Sequence, residues 1–259
     1  MAKVLCVTAF KDIQRGSWSG QHSEWKRTND EYINWFENLI KSPIDIICFC
    51  DESIAKVIHE KTGFTKLYPY CDDDTFFRHI EQERNIMNSI EYKNALVHRI
   101  RHPEHSIPEY NMVQHSKTSF VRRAAEMFPK YSHIAWVDFG YIRESSKIPK
   151  IVEWDNIVND SINYACFHSL DPSHIPEQLN MCIHAPSILQ GSMFVLPRHL
   201  AFWYEKKYEE ILFEYHRLNL ADDDQALALQ VFKKYPDKFK FHIIPDWFNI
   251  FNTLLKPST

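Results

Sequence analysis

Three groups of side chains in this chain have the types and spacing to do chemistry. Asp138 closes the apolar run of "HIAWVDFGYIR" (133–143) and is followed by Phe139 and Gly140. Three successive carboxylates, Asp222, Asp223 and Asp224, stand in "ADDDQALALQ" before a helix-period segment. Ahead of these acids in the chain, "HSKTSFV" places Lys117 at a helix start, and "DIQRGSW" places Arg15 just after an apolar run. A carboxylate at a strand end can serve a turn, because Asp followed closely by Gly is ordinary turn chemistry. It can also hold a divalent cation from a rigid platform, with Gly140 letting a ligand approach the backbone. One carboxylate is enough to cap a helix start, so three leave a surplus for acid–base work. Of the three, Asp222 is expected to be the cap. Arginine and lysine at such places can neutralise a phosphate, arginine as a planar fork and lysine as a point charge.

Asp-Phe-Gly also occurs in protein kinases, but those enzymes need a glycine-rich loop and a His-Arg-Asp motif, and this sequence has neither. The five glycines (16, 20, 63, 140 and 191) form no dinucleotide-binding or Walker loop, so any diphosphate must be neutralised by side chains or a metal. Fourteen histidines show no H-E-x-x-H spacing, and most are expected on the surface or in loops.

The elements that must position these groups follow from the pattern of apolar residues. "KVLCVTAF", "IDIICFCD", "HIAWVDFG", "NYACFHS", "SMFVLP" and "KFHIIP" read as buried strands. "TNDEYINWFENLIKSP" carries Tyr32, Trp35, Phe36, Leu39 and Ile40 at helical spacing, with Thr28 and Glu31 forming a capping box and Pro43 beyond the last turn. Further helices are expected at about 75–90, 112–127, 198–217 and 222–234, and the His- and Pro-rich 98–116 segment as a long loop. The alternation implies an α/β fold, a mostly parallel sheet flanked by helices. Such sheets bind ligands outside the carboxyl ends of their strands, where Phe10, Asp51 and Asp138 emerge.

Composition sets the outer limits. The 259 residues are 44% hydrophobic and 14% aromatic, enough for a large core, and the formal net charge is -4. That balance offers no general attraction to nucleic acid. No run approaches the roughly 20 apolar residues of a membrane helix, and the amino terminus lacks a secretory apolar core, so a cytoplasmic protein is expected. The six cysteines form no C-x-x-C pair, and four sit in strand-like runs, which points to reduced core thiols rather than zinc.

In their order along nearly the whole chain, "VTAFKDIQRGSW", "HSKTSFV", "WVDFGY", "QGSMFV" and "DDDQALALQVFKKYP" resemble the bacterial HtrL/YibB group. That group looks like a branch of the GT-A glycosyltransferases of lipopolysaccharide or capsule assembly. The resemblance implies a GT-A-like, Rossmann-like domain over 1–259, its nucleotide-binding part roughly 1–143 and its acceptor and catalytic part roughly 144–259. It implies a nucleotide-sugar donor (a UDP-sugar favoured), a glycan or lipid-linked glycan acceptor, and Mn²⁺ or Mg²⁺, with the protein at most peripheral to the inner face of the membrane. On that resemblance Thr8, Ala9 and Phe10 cradle the base, Arg15, Lys117 and Asp138 serve the diphosphate, and Gln190 and Gly191 meet the sugar. Asp138 and His242 are the implied metal ligands, and Asp223, then Asp224, the catalytic acids. One departure is plain: Asp-Phe-Gly stands where the wider fold usually has Asp-x-Asp. The alternatives are a non-catalytic glycan- or nucleotide-binding protein and a nucleotidyl- or phosphotransferase.

Overall fold

Continuous apolar runs suit strands covered on both faces, and that is how they are used except in "KFHIIP", which forms a partly exposed strand at the sheet edge rather than a buried one. The computed structural model describes residues 2–150, 153–184, 186, 188–248 and 250–254. Its seven strands are β1 (Val4–Phe10), β2 (Ile46–Cys50), β3 (Leu67–Pro69), β4 (His133–Val137), β5 (Ile162–Cys166), β6 (Leu189–Pro197) and β7 (Phe239–Ile243). They form one sheet in the order β3-β2-β1-β4-β6-β5-β7. β1 pairs in parallel with β2 and β4, β2 with β3, and β5 with β7; β6 runs antiparallel between β4 and β5. The sheet is therefore mostly parallel, as the alternation of strands and helices implies.

The helices are α1 (Asn29–Ile40), α2 (Glu52–Thr62), α3 (Ile80–Asn88), α4 (Ile90–Ala95), α5 (Pro108–His115), α6 (Lys117–Met127), α7 (Gln178–His184), α8 (Ala201–Arg217), α9 (Asp224–Lys234) and α10 (Ile250–Leu254). Successive residues of a strand serve opposite layers. Leu5 and Val7 of β1 pack into a cluster with Phe120 of α6, Tyr208 of α8 and Leu227 of α9. Val4 and Cys6 pack into another with Phe36 of α1, Ile58 of α2 and Phe251 of α10. The capping box of α1 is present: Thr28 Oγ1 accepts from Glu31 N at 3.2 Å, and Glu31 accepts from Thr28 N at 2.7 Å.

Several segments differ from the pattern read in the sequence. The stretch 98–116 is not a long loop, because Pro108–His115 is helical with Pro108 at its first turn, where proline's fixed φ suits a helix and its missing N–H costs nothing. The 112–127 helix is divided at Ser116 into α5 and α6, so Lys117 begins a new helix. The sequence pattern also passed over α2, although Ile54 and Ile58 share its buried face and Gly63 ends it at φ 69°. All six cysteines are free, five of them buried.

Candidate active site

β1 and β4 lie side by side in parallel, so their carboxyl ends open together. A cavity of about 290 Å³ lies there. Ala9 and Phe10 reach it from the end of β1, and Trp136 and Asp138 from the end of β4. Phe10, Tyr32 and Phe139 form an aromatic wall, with ring centroids 5.3 Å (Phe10–Tyr32) and 4.8 Å (Phe10–Phe139) apart.

Asp138 sits in a turn closed by Tyr141 N donating to Asp138 O at 3.0 Å, so its backbone does make the turn that Asp and Gly favour. Its side chain nevertheless faces the cavity. Trp136 Nε1 donates to Asp138 Oδ1 at 2.7 Å, and Lys117 Nζ lies 3.1 Å from the same oxygen. Lys117 also donates to Asp224 Oδ2 at 2.8 Å and to Gly191 O at 3.0 Å. One buried ammonium thus ties the end of β4 to the start of α9 across β6.

This triad carries two acids and one base, with Lys117 and Asp224 buried and Asp138 open to the cavity. Burial opposes the ammonium, but Asp138 and Asp224 outweigh it and hold Lys117 above the ordinary lysine range. Burial pushes Asp224 up to about 7 despite the nearby ammonium, with Asp223 and Asp138 adding to the rise. The combination is self-consistent: two carboxylates and one ammonium leave a net negative charge, and a proton on Asp224 removes it. Asp224 does not itself line the cavity, and nor does Asp223; it stands behind Lys117, which does, with a carboxyl raised into the range that suits a general acid or base.

The other acids divide the work differently from the sequence expectation. Asp223, not Asp222, is the N-cap of α9, and its side chain accepts from Gln225 N at 3.1 Å and from Gln225 Nε2 at 3.1 Å. Asp222 lies one residue too early to cap; it is buried behind the turn and accepts from Asp223 N at 2.9 Å. Burial raises Asp222 well above the carboxylate range, and burial followed by Glu104 raises Asp223 to about 6.

The remaining expected site residues are only partly brought together. Ala9, Phe10, Arg15, Lys117 and Asp138 line the cavity. Thr8 is fully buried in β1 and does not line it. Gln190 is likewise buried and does not face a sugar; its amide donates to Ser192 Oγ at 2.9 Å and to Trp247 O at 3.0 Å, bracing two residues that do line the cavity. Gly191 makes room for protein, since a Cβ there would stand 2.8 Å from Gln225 Cγ and 2.9 Å from Asp224 Oδ2. Gly140 does the same for α1, a Cβ there falling 2.7 Å from Trp35 Cε3. His242 is not near Asp138: the parallel register sets it opposite Ala165 on β7, where it pairs with Asn163 Oδ1 at 3.0 Å. Asp51 begins α2 and is absent from the cavity lining.

The side chains present do not fit the divalent metal that the resemblance implies. The space between Asp138 and Asp224 belongs to the Lys117 ammonium, and among the described residues no three His, Cys, Asp or Glu side chains are grouped to hold a metal. Sequence reasoning missed Arg27 and Arg143, which also line the cavity. Arg143 was within reach, since it closes the same "WVDFGYIR" that presents Asp138.

The fold and site define an α/β protein with an aromatic and cationic cleft at the carboxyl ends of parallel strands, where Asp138 and Lys117 line the cavity and Asp224 backs Lys117. By sequence, the chain belongs to the HtrL_YibB family, described as a bacterial protein of unknown function, whose model matches residues 2–255. It is 25% identical over 260 residues to Protein HtrL of Escherichia coli (strain K12), covering 95% of this chain and 90% of that protein. No helix among the described residues is long and apolar enough to cross a membrane.

Proposed function

We propose that this protein is a glycosyltransferase of GT-A type that moves a sugar from a nucleotide diphosphate donor, a UDP-sugar by preference, to a glycan or lipid-linked glycan acceptor. The observation that carries this reading is the Asp138–Lys117–Asp224 bridge, of which Asp138 and Lys117 line the cavity while Asp224 stands behind Lys117 with its carboxyl pushed up to about 7 by burial. The acceptor oxygen bonds to the anomeric carbon. The bond from that carbon to the diphosphate oxygen breaks, its electron pair leaving with the diphosphate, and the hydroxyl proton passes to Asp224. Phe10, Tyr32 and Phe139 offer apolar ring surface to a base, and the cavity cations face the diphosphate. In keeping with the resemblance, the reaction we propose serves lipopolysaccharide or capsule synthesis in the cytoplasm, at the inner face of the membrane.

The test is a panel of nucleotide sugars incubated with the protein and candidate glycan acceptors, with products weighed by mass spectrometry. A product heavier than its acceptor by one sugar residue, lost on Asp224→Asn, supports the reading. A nucleotidyl- or phosphotransferase would instead add a phosphorus-containing group. Donor binding with no transfer to any acceptor and no donor hydrolysis would identify a non-catalytic binder.

A further inference from the structure

The five cations around the cavity are not equally occupied. Lys11 is paired with Asp72 at 2.7 Å, and Lys117 with Asp138 and Asp224. Arg15, Arg27 and Arg143 have no carboxylate within ion-pair distance among the described residues, in a chain whose 34 acidic residues outnumber its 30 basic ones. Each is instead fixed by uncharged groups. Arg15 donates to Trp25 O at 2.7 Å and to Tyr32 Oη at 2.8 Å. Arg27 donates to the carbonyls of Glu24 and Lys26. Arg143 lies over the rings of Trp35 and Phe248, 4.8 and 5.1 Å from their centroids. Arg143 feels the other two: burial lowers it below the ordinary arginine range and Arg27 and Arg15 lower it further, while Tyr32 and Asp138 only partly oppose them.

Gathering three uncompensated guanidinium groups at one cleft is unfavourable without a ligand, since like charges repel and partly dehydrated ones repel more strongly. A bound dianion or trianion reverses the sign, and arginine's planar fork matches phosphate oxygens in pairs. Because their holders are backbone carbonyls, a phenol and aromatic faces, the forks are pre-organised without being neutralised. We infer that Arg15, Arg27 and Arg143 form a clamp for a diphosphate that needs no metal, replacing the charge a divalent cation would supply. The bridge described above explains the substitution, since the ammonium of Lys117 occupies the place between the carboxylates. The nucleotide-sugar reading enters only as the choice of which diphosphate is carried.

Calorimetric titration separates the two ideas, with UDP and inorganic pyrophosphate as probes in EDTA and again with excess Mn²⁺. Both probes should bind in EDTA, and Mn²⁺ should tighten neither by more than about threefold. Arg27→Gln and Arg143→Gln should each weaken pyrophosphate by about tenfold or more, the scale of a lost charge-assisted hydrogen bond. Arg143→Lys should not restore it, because the paired geometry is lost. Thermal melts of each variant confirm that the fold is intact. Pyrophosphate that binds only with Mn²⁺, binds not at all, or binds both Gln variants as it does wild type overturns the clamp. Pyrophosphate binding in EDTA with sensitivity to both arginines, but with UDP no tighter, upholds the clamp while removing the nucleotide donor.

Discussion

Replacing Lys117 with Met deletes the ammonium that joins Asp138 to Asp224 while keeping a flexible apolar stem of similar length. Three contacts go with it, at 2.8 Å to Asp224, 3.0 Å to Gly191 O and 3.1 Å to Asp138. Breaking one side of a buried ion pair costs about 3 to 5 kcal/mol, because the remaining charge is left uncompensated. That cost depends on pH, and its sign follows from Asp224. Burial places its carboxyl at about 7 in the folded chain against 3.8 ordinarily, so the folded chain holds the extra proton in that window and stability falls as pH rises across it. Lys117 pulls this value down, so its removal carries the window to higher pH and deepens the loss. Below pH 6 Asp224 is protonated in both proteins, and the penalty should shrink to what Lys117 loses with Asp138 and Gly191 O. Urea denaturation of wild type, Lys117→Met, Asp224→Asn and the double variant at pH 5.5 and 8.5 measures this directly. The cycle should give a coupling of about 2 kcal/mol at pH 8.5 and less than half of that at pH 5.5. A coupling below about 0.5 kcal/mol at pH 8.5, or one independent of pH, would refute the ion-pair reasoning.

In the proposed transfer Asp224 acts in its deprotonated form, so turnover should rise through about pH 7. Asp224→Asn should lose that limb and slow single-turnover transfer by about 10² to 10⁴-fold with little change in donor affinity. Gly191→Ala would bring a methyl to 2.9 Å from Asp224 Oδ2, so it should reduce turnover more than stability; wild-type rates would show that Asp224 tolerates displacement. Thr28→Ala removes one half of the α1 capping box and should cost about 1 kcal/mol in denaturant melts, with donor binding unchanged. A loss under about 0.3 kcal/mol would mean that water replaces the cap.

The sequence by itself determined the sheet and its open end. Runs such as "VLCVTAF" and "HIAWV" are apolar except at Thr8 and His133, which suits a strand covered on both sides, and helix-period segments between them favour parallel crossovers. The register of polarity therefore set Asp138 and Phe10 at the strand ends before any contact was known. Pairing was a different matter, because charges choose partners through space. Nothing in "HSKTSFV" says that Lys117 reaches Asp224, 107 positions later, and nothing in "DDDQ" says which acid caps. Those choices turn on the phase of α9 against β6, where one residue of shift exchanges a cap for an ion pair. His242 could look like a metal ligand until the parallel pairing of β5 with β7 set it beside Asn163. Arg27 and Arg143 stayed hidden for the same reason: a guanidinium becomes informative only when the folded chain leaves it without an acid.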